Sequence, residues 1–162
     1  MVIGLNPFGT HLPMLMGCVV KAGGPVLEMG CGYYSTPMLH YLCSAMGLDL
    51  TSADTSLEWL ARFQSLSRDW HSFVHVEDWA KCSLFDGRWG VVLMDHGNAR
   101  RRPRDTRRLA GKADMIVCHD SDNTKMEYDE VLSEFKYRFD FKLFRPWTTV
   151  VSNHHDLEWL RK

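Results

Sequence analysis

The sequence predicts an α/β fold: a doubly wound, mostly parallel, seven-stranded sheet with helices on both faces and an antiparallel hairpin at its C-terminal end. Short apolar runs alternate with helical stretches along the chain, which is the pattern of successive βαβ units. The run Trp89–Met94 is almost continuously apolar, as in a strand that is covered on both faces. Over 26–37 an apolar run, a glycine turn and a helix start follow one another, an order typical of the first unit of such a sheet.

In the N-terminal half, helix and strand signals alternate regularly. An N-terminal helical segment, 1–24, ends at glycine and proline residues. Ser35 or Thr36 is expected to cap the second helix, with Pro37 at its first position, and Ser56 to start the third. The predicted elements are a helix over 13–21, a strand over 26–29, a helix to about 46, a strand over 50–53 and a helix from 56 to 66.

The C-terminal half continues the alternation and then changes character. Two β-rich runs flank Pro146, which predicts an antiparallel pair joined by a turn. The predicted elements are strands over 73–76, 89–94 and 115–118, helices over 102–109 and 126–138, and hairpin strands over 139–144 and 148–152.

The composition is that of an ordinary globular protein, and we expect a single domain over 1–162. Of the 162 residues, 45% are hydrophobic and 24% are charged; the formal net charge of −1 gives the molecule as a whole no affinity for nucleic acid. An odd cysteine count without C-x-x-C spacing indicates reduced thiols and a cytoplasmic location, rather than disulfides or a zinc site. The cysteines are Cys18, Cys31, Cys43, Cys82 and Cys118.

The apolar run over 12–20 predicts a buried helix. It is much shorter than the roughly 20 residues that a transmembrane helix needs, and no basic segment precedes it as in a signal peptide. We therefore expect no contact with a membrane.

The glycine turn is the strongest indication of a ligand site. Gly30 and Gly32 let a nucleotide approach the backbone and the N–H groups at the following helix start. Asp54 follows Gly32 by 22 residues, a spacing typical of a carboxylate that binds ribose hydroxyls. A dinucleotide site would have a third glycine at Ser35, and Glu28 would repel a pyrophosphate. Glu28 suits a ligand with an ammonium group and no phosphate, such as S-adenosylmethionine; the alternative is that the glycines serve only a tight turn.

The stretch over 26–37 resembles motif I of class I S-adenosylmethionine-dependent methyltransferases, an acidic residue followed by x-Gly-x-Gly. The order of elements from 13 to 152 is similar to the Rossmann-like sheet of that family, and Ser35 is the departure from its motif. The resemblance implies S-adenosyl-L-methionine as cofactor and S-adenosylhomocysteine as product. It implies methionine-binding roles for Glu28, Gly30, Cys31 and Gly32, ribose binding by Asp54, adenine binding by Asp78 with Trp79 beside it, and a place at the reaction site for Asp95.

Two His/Asp pairs mark the predicted reaction site. Asp95 and His96 follow the fourth strand, and His119 and Asp120 follow the fifth. The carboxyl ends of neighbouring parallel strands lie together, which is where ligands bind in such sheets. These four residues are the predicted catalytic residues, because an imidazole near neutral pH can take a proton from a substrate oxygen or nitrogen. The alternative is that the histidines only brace the turns.

A metal site is a second interpretation of the same strand ends. Asp95, Asp120, Asp122 and Asn123 offer oxygen ligands for Mg²⁺. Their spacing does not match that of the metal-dependent methyltransferases of this class, and turn capping by Asp122 and Asn123 is the favoured explanation. The prediction is therefore that no metal is bound.

A basic cluster follows the fourth strand. Arg101 and Arg102 are the predicted substrate-binding residues because they lie closest to the strand end. An anionic acceptor, or the backbone of a nucleic acid, would be attracted to the cluster; the alternative is a solvated helix face. The cluster over 100–112 comprises Arg100, Arg101, Arg102, Arg104, Arg107, Arg108 and Lys112.

Together these features predict methyl transfer to an oxygen or nitrogen of a small acceptor, which the basic cluster would allow to be anionic. So short a chain leaves little room for a substrate domain. A second copy or a partner chain would therefore complete a larger pocket. Three alternatives stay open: a non-catalytic S-adenosylmethionine-binding module, a different reaction of the same cofactor, and a nucleic-acid methyltransferase that uses the basic cluster.

Overall fold

The computed structural model describes residues 6–161, which form seven strands and five α-helices connected by short 3-10 turns and loops. The strands are β1 (Val26–Met29), β2 (Leu50–Asp54), β3 (His71–His75), β4 (Trp89–Met94), β5 (Ala113–His119), β6 (Tyr137–Phe141) and β7 (Thr148–Ser152). The helices are α1 (Leu12–Ala22), α2 (Ser35–Met46), α3 (Leu57–Ala61), α4 (Arg102–Arg108) and α5 (Tyr128–Ser133).

The seven strands form one sheet in the order β3-β2-β1-β4-β5-β7-β6. The first five strands are parallel, and β7 runs antiparallel to both β5 and β6. The predicted fold class is therefore confirmed. The chain reverses its direction of winding between β1 and β4, and at such a switch point the loops after the two strands separate and leave a crevice.

The sheet is covered on both faces, as the apolar runs predict. Every residue of β1 is buried, and so is each residue of β4 except its first, Trp89. Successive side chains of a strand point to opposite faces. Leu27 and Met29 accordingly belong to one core cluster, whereas Val26 packs in a second cluster with α1. In the region the structure describes, no helix is long and apolar enough to cross a membrane.

Several predicted element boundaries are wrong: β3 spans His71–His75 instead of 73–76, β6 ends at Phe141 instead of 144, and three helix boundaries differ as well. Helix α2 begins at Ser35 itself, after Tyr34, and no side chain caps it; the Thr36 hydroxyl is already bonded to Glu28. Ser56 does cap α3, but this helix ends at Ala61 and a 3-10 turn over Gln64–Leu66 follows. The helix predicted over 126–138 ends at Ser133, because the last residues of that range pair with β7 as part of β6.

Candidate active site

The glycine turn presses directly against the end of β4. Gly30 has a φ of +101°, in the left-handed region that favours glycine. A Cβ atom at this position would lie 2.6 Å from the carbonyl oxygen of Asp95 and 2.7 Å from the Cα atom of His96. Only a glycine therefore lets β1 and β4 end side by side, with the two following loops in contact.

Asp54 joins the end of β2 to the same turn. Its carboxylate accepts hydrogen bonds from the backbone N–H of Cys31 at 3.0 Å and from that of Ser56 at 2.9 Å. The loop after β1 and the acidic residue after β2 thus lie together on one side of the sheet. A carboxylate has about four lone-pair sites, so Asp54, which is only partly buried, keeps acceptor sites for a ligand.

A cavity of about 340 Å³ opens beside the turn. We call it the loop cavity. The segment before α1 contributes two of its lining residues, Phe8 and His11, and Asp95, directly after β4, contributes a carboxylate. Its lining residues are Phe8, His11, Cys31, Gly32, Tyr33, Tyr34, Ser35, Trp59 and Asp95.

Glu28 does not reach this cavity, since none of its surface is exposed. The Thr36 hydroxyl donates to its carboxylate at 2.9 Å, and the Ser52 hydroxyl at 2.6 Å. Thr36 in turn accepts the backbone N–H of Gly32. Glu28 thus supports the turn from beneath, through Thr36. Complete burial raises the pKa of this carboxyl to about 7, although its hydrogen bonds partly oppose the change.

The pKa of Glu28 makes folding stability depend on pH. The ordinary value is 4.5, so the unfolded chain loses this proton at a lower pH than the folded protein does. The stabilising effect is complete below about pH 4.5 and is lost as the pH rises through about 7. We expect the wild-type protein to lose about 3 kcal/mol of unfolding free energy over this range, and Glu28→Gln to lose far less. Urea unfolding at pH 5 and pH 8 measures the difference, and equal losses in both proteins would refute it.

Asp78 and Trp79 lie on the β3 side of the sheet. The Asp78 side chain is exposed, accepts the backbone N–H of Ala80, and lines a separate groove of about 320 Å³. Trp79 is buried and stacks on His96, with ring centroids 4.7 Å apart. The structure therefore does not bring either side chain into the loop cavity.

His96 is an interior residue, only 1% exposed. Its Nε2 atom lies 3.2 Å from a carboxylate oxygen of Asp105, which is fully buried and also accepts the Nε–H of Arg101. His96 lines neither the loop cavity nor the cavity at the ends of β4 and β5. This geometry agrees with the bracing interpretation of His96. Asp105 also neutralises the charge of Arg101.

A second cavity, of about 260 Å³, adjoins the first at the ends of β4 and β5. We call it the strand-end cavity. It shares Phe8 and Asp95 with the loop cavity, so that Asp95 lies between the two. Its lining residues are Pro7, Phe8, Asp95, Arg102, His119, Asp120 and Pro146. Three of the four predicted catalytic residues are thus brought together here, and His96 is not.

Arg102 is buried beside this cavity, and four acceptors already engage its guanidinium group. Its guanidinium group lies 2.9 Å from the carboxylate of Asp95 and 3.0 Å from that of Asp120. It also donates to the backbone carbonyls of Asp95 and His96. A side chain engaged on four sides has little capacity for an acceptor, contrary to the substrate-binding role expected from the sequence. Its geometry is that of a residue that positions the two carboxylates.

His119 faces both carboxylates. Its Nδ1 atom lies 3.2 Å from an oxygen of Asp95 and 3.7 Å from one of Asp120. Burial lowers the pKa of His119, but the two carboxylates outweigh burial and raise it above its ordinary value. Burial in turn raises the pKa of Asp95, but the interactions with His119 and Arg102 outweigh this effect and lower it. His119 and Asp95 thus form one coupled pair beside the cavities.

His11 is a site residue that the sequence analysis did not select. Its ring centroid lies 4.6 Å from that of His119, and neither of its ring nitrogens has a hydrogen-bond partner among residues 6–161. Burial and the neighbouring His119 lower the pKa of His11 to about 4, so the ring is neutral. Thr10 completes this contact, because its hydroxyl lies 3.0 Å from Nε2 of His119. A polar pair at the start of a helix is the only sequence signal for these two residues, and it is too common to be informative.

The residues proposed as alternative magnesium ligands do not converge. The Asp122 carboxylate accepts the backbone N–H of Trp147, and Asn123 accepts that of Lys125. Asn123 therefore caps a turn, as favoured above, whereas Asp122 bonds to the residue just before β7. Asp120 is directed at Arg102 instead.

Most of the basic cluster is neutralised by acidic side chains. Arg107 pairs with Glu130 and Glu134, and Lys112 lies 3.9 Å from Asp86. Arg108 contacts Asp105 and packs over the ring of Phe85. With the pairs of Arg101 and Arg102, five of the seven cluster members contact a carboxylate. Little of the cluster is left as a free positive surface.

The arrangement of strands and helices is similar to that of solved methyltransferase structures. The METTL16 MTase domain is 12% identical, with a TM-score of 0.63 over 93% of this chain and 70% of that chain. The plantazolicin methyltransferase BpumL, in complex with SAH, is 14% identical, with a TM-score of 0.62 over 91% and 84%. The O-methyltransferase from Bacillus cereus, in complex with SAH, is 13% identical, with a TM-score of 0.60 over 94% and 84%.

No protein-family model matches the chain, and no curated protein matches it in sequence. The similarity to the solved structures is therefore one of fold, carried by the sheet order and the helices around it.

Proposed function

Because the chain has the Rossmann-like fold of class I methyltransferases, we propose that it transfers the methyl group of S-adenosylmethionine to an oxygen or nitrogen atom of a small acceptor. One observation carries the proposal: the loop cavity and the strand-end cavity meet at Asp95. Group transfer needs two ligands held with their reacting atoms in contact, and two adjoining cavities provide this arrangement.

The loop cavity suits the cofactor in size and chemistry. Its volume of about 340 Å³ lies within the roughly 300–1,000 Å³ usual for ligand sites. Ser35, the first residue of α2, lines it, so the positive end of the helix dipole borders the cavity and suits a carboxylate. Asp95 offers negative charge to an ammonium or sulfonium group, and Trp59 offers an aromatic face.

We assign the remaining cofactor contacts as follows. Gly30, Cys31 and Gly32 surround the methionine part, and Asp54 binds the ribose with its remaining lone pairs. Glu28 acts through Thr36 and not by direct contact, because it is completely buried. Two further residues predicted from the sequence do not line the loop cavity. Asp78, which we propose as the partner of the adenine amino group, lines a separate groove, and Trp79 supports the site by its stacking on His96.

The strand-end cavity holds the acceptor. Bound S-adenosylmethionine supplies a methyl group on a positively charged sulfur, which is already a good leaving group. The chain must orient the acceptor atom and receive its proton. His119 Nδ1 and the Asp95 oxygen, 3.2 Å apart, are the groups at the junction that can hold this proton, and Asp120 lies beside them.

We infer that the acceptor is small and uncharged, and not anionic. The cavity that would hold it measures only about 260 Å³. The positive charge of Arg102 is balanced by two carboxylates, and Arg101 is bound to Asp105, so neither residue offers charge to an anion. The same pairing disfavours a nucleic-acid substrate, which needs free cationic groups for its phosphates.

Asp54→Asn tests the cofactor assignment. Asparagine removes the charge and keeps an acceptor oxygen for only one of the two backbone N–H groups, those of Cys31 and Ser56, and a charged hydrogen bond contributes about 1.5–3 kcal/mol. We expect the affinity for S-adenosylhomocysteine, measured by calorimetry, to fall roughly 10- to 100-fold. Asp49→Asn, exposed just before the other end of β2, is the matched control and should bind normally.

Two results would contradict the proposal. Equal affinity of the wild-type protein for NAD and S-adenosylhomocysteine would remove the cofactor assignment, and so would unchanged binding by Asp54→Asn. Single-turnover assays with labelled S-adenosylmethionine then test transfer itself. Release of S-adenosylhomocysteine should require an acceptor, because breakdown without one would indicate a different reaction of the same cofactor.

A further inference from the structure

We propose that His11, Asp95 and His119 bind a divalent transition-metal ion, of the chemistry of Zn²⁺ or Co²⁺, at the junction of the two cavities. One ligand atom from each residue lies within 4.8 Å of the other two. Two imidazoles and one carboxylate form a ligand set common to this group of metals. The inference rests on the proposed function only for the position of the acceptor.

His11 is the first reason to place an ion here. The side chain is 1% exposed, lines the loop cavity, and has no hydrogen-bond partner for either nitrogen among the described residues. Burying a polar group without a hydrogen-bond partner destabilises the folded protein. A metal ion bound to one nitrogen of this neutral ring would give that nitrogen a partner.

The hydrogen bonding of Thr10 is the second reason. Its hydroxyl has one proton, and two backbone carbonyl oxygens, which can only accept, lie beside it: that of Pro146 at 2.9 Å and that of Pro7 at 3.3 Å. The Thr10 oxygen, 3.0 Å from Nε2 of His119, must then accept a proton from that nitrogen. Nε2 is therefore protonated, and in the neutral ring the lone pair is on Nδ1, which points toward Asp95. A lone pair facing a carboxylate is repulsive unless a cation lies between them.

A proton on Nδ1 would also separate the two groups, but the contact is not a good hydrogen bond. Although Nδ1 and the Asp95 oxygen are 3.2 Å apart, Nδ1 has no hydrogen-bond partner of acceptable geometry within 6–161. Metal–ligand bonds of about 2.0–2.2 Å place neighbouring ligand atoms about 3–3.5 Å apart, which matches this separation. A proton also leaves His11 unexplained, whereas a metal ion accounts for all three side chains.

The supporting contacts are those expected around metal ligands. Thr10 fixes the ring of His119, and Arg102 binds one oxygen of Asp95 at 2.9 Å, leaving the other oxygen for the ion. Asp120 lies close enough to balance part of the added positive charge. With three protein ligands, the ion keeps an open coordination position, as catalytic sites do. Asp95 and His119 line the strand-end cavity, so the open position suits an acceptor oxygen or nitrogen. The ion would make the proton of that atom more acidic, and Asp120, which is not a ligand, would receive it in place of His119 and Asp95.

Titration of the chelator-treated full chain with Co²⁺, followed by visible absorption, tests the site. We expect one Co²⁺ per chain and competition by Zn²⁺. His11→Gln and His119→Gln should each weaken Co²⁺ binding by at least about 100-fold. This is the largest loss usual when only an outer-shell partner of a metal ligand is removed. His154→Gln, exposed and remote in sequence from the cluster, is the control and should bind normally. If a histidine variant does not fold, Thr10→Val, which leaves all three ligands in place, should still weaken binding about 10- to 100-fold.

A wild-type chain that does not bind Co²⁺, or equal binding by all variants, would overturn the metal site. Calorimetry with S-adenosylhomocysteine separates this result from failure of the proposed function. Cofactor binding that survives chelation, with methyl transfer lost and then restored by metal, supports both proposals. Full transfer by the metal-free protein overturns the role of the metal alone. Loss of cofactor binding in a chain that still binds Co²⁺ overturns the proposed function alone.

Discussion

Gly30→Ala is expected to destabilise the protein by about 3–5 kcal/mol, the range of large single-residue effects with a defined structural cause. Two causes act together. An L-residue is strained at a φ of +101°, and its Cβ would lie 2.6 Å from the carbonyl oxygen of Asp95. The obstructing atoms belong to the backbone at the end of β4, so β1 and β4 must separate. Urea unfolding measures the loss, and binding of S-adenosylhomocysteine should fall with it.

Gly97→Ala is the matched control, because this glycine lies in the loop that Gly30 contacts. A Cβ at Gly97 would meet nothing within 4 Å, and its φ is outside the left-handed region. Its substitution should leave stability nearly unchanged. If Gly30→Ala were as stable as Gly97→Ala, the close approach of the two strand ends would not constrain the turn.

Arg102→Met should have the second large effect. The substitution keeps an apolar side chain of similar length but leaves Asp95 and Asp120 without their shared positive partner in a largely buried region. Removing one member of a buried ion pair costs about 3–5 kcal/mol. We expect a corresponding fall in the unfolding free energy and a lower kcat for methyl transfer, because the two carboxylates at the junction are no longer held.

Arg104→Met, in the same helix but exposed, is the control for loss of one arginine and should change neither quantity. The sequence suggested that Arg102 binds the substrate, and the same experiment distinguishes the two roles. Normal stability and kcat with a raised KM would restore the substrate-binding role. A fall in stability and kcat identifies a positioning residue.

Much of the fold could be predicted from local sequence patterns. The strands β1 and β4 are buried on both faces, so their apolar runs are continuous and easily recognised. The boundary between α5 and β6 could not be predicted in this way. The sequence predicts a strand only from 139, and the pairing of Tyr137 and Arg138 with β7 places these two residues in β6 instead of the helix. Similarly, the shift of the α2 start to Ser35 follows from a contact of Thr36 with β1, which the local sequence does not show.

For the site, the sequence by itself determined which groups stand at the ends of the parallel strands. The glycine turn, Asp54, Asp95 and His119 lie at that edge because the carboxyl ends of parallel strands meet there whatever the loops do. The tertiary structure alone decided the orientation and the use of each side chain. It directs Arg102 at two carboxylates, moves His96 inside, and brings Thr10 to His119 across 109 residues of sequence. The contact between Thr10 and His119 depends on how the segment before α1 packs over the finished sheet. That packing is a sum of many distant interactions, and no local pattern encodes it.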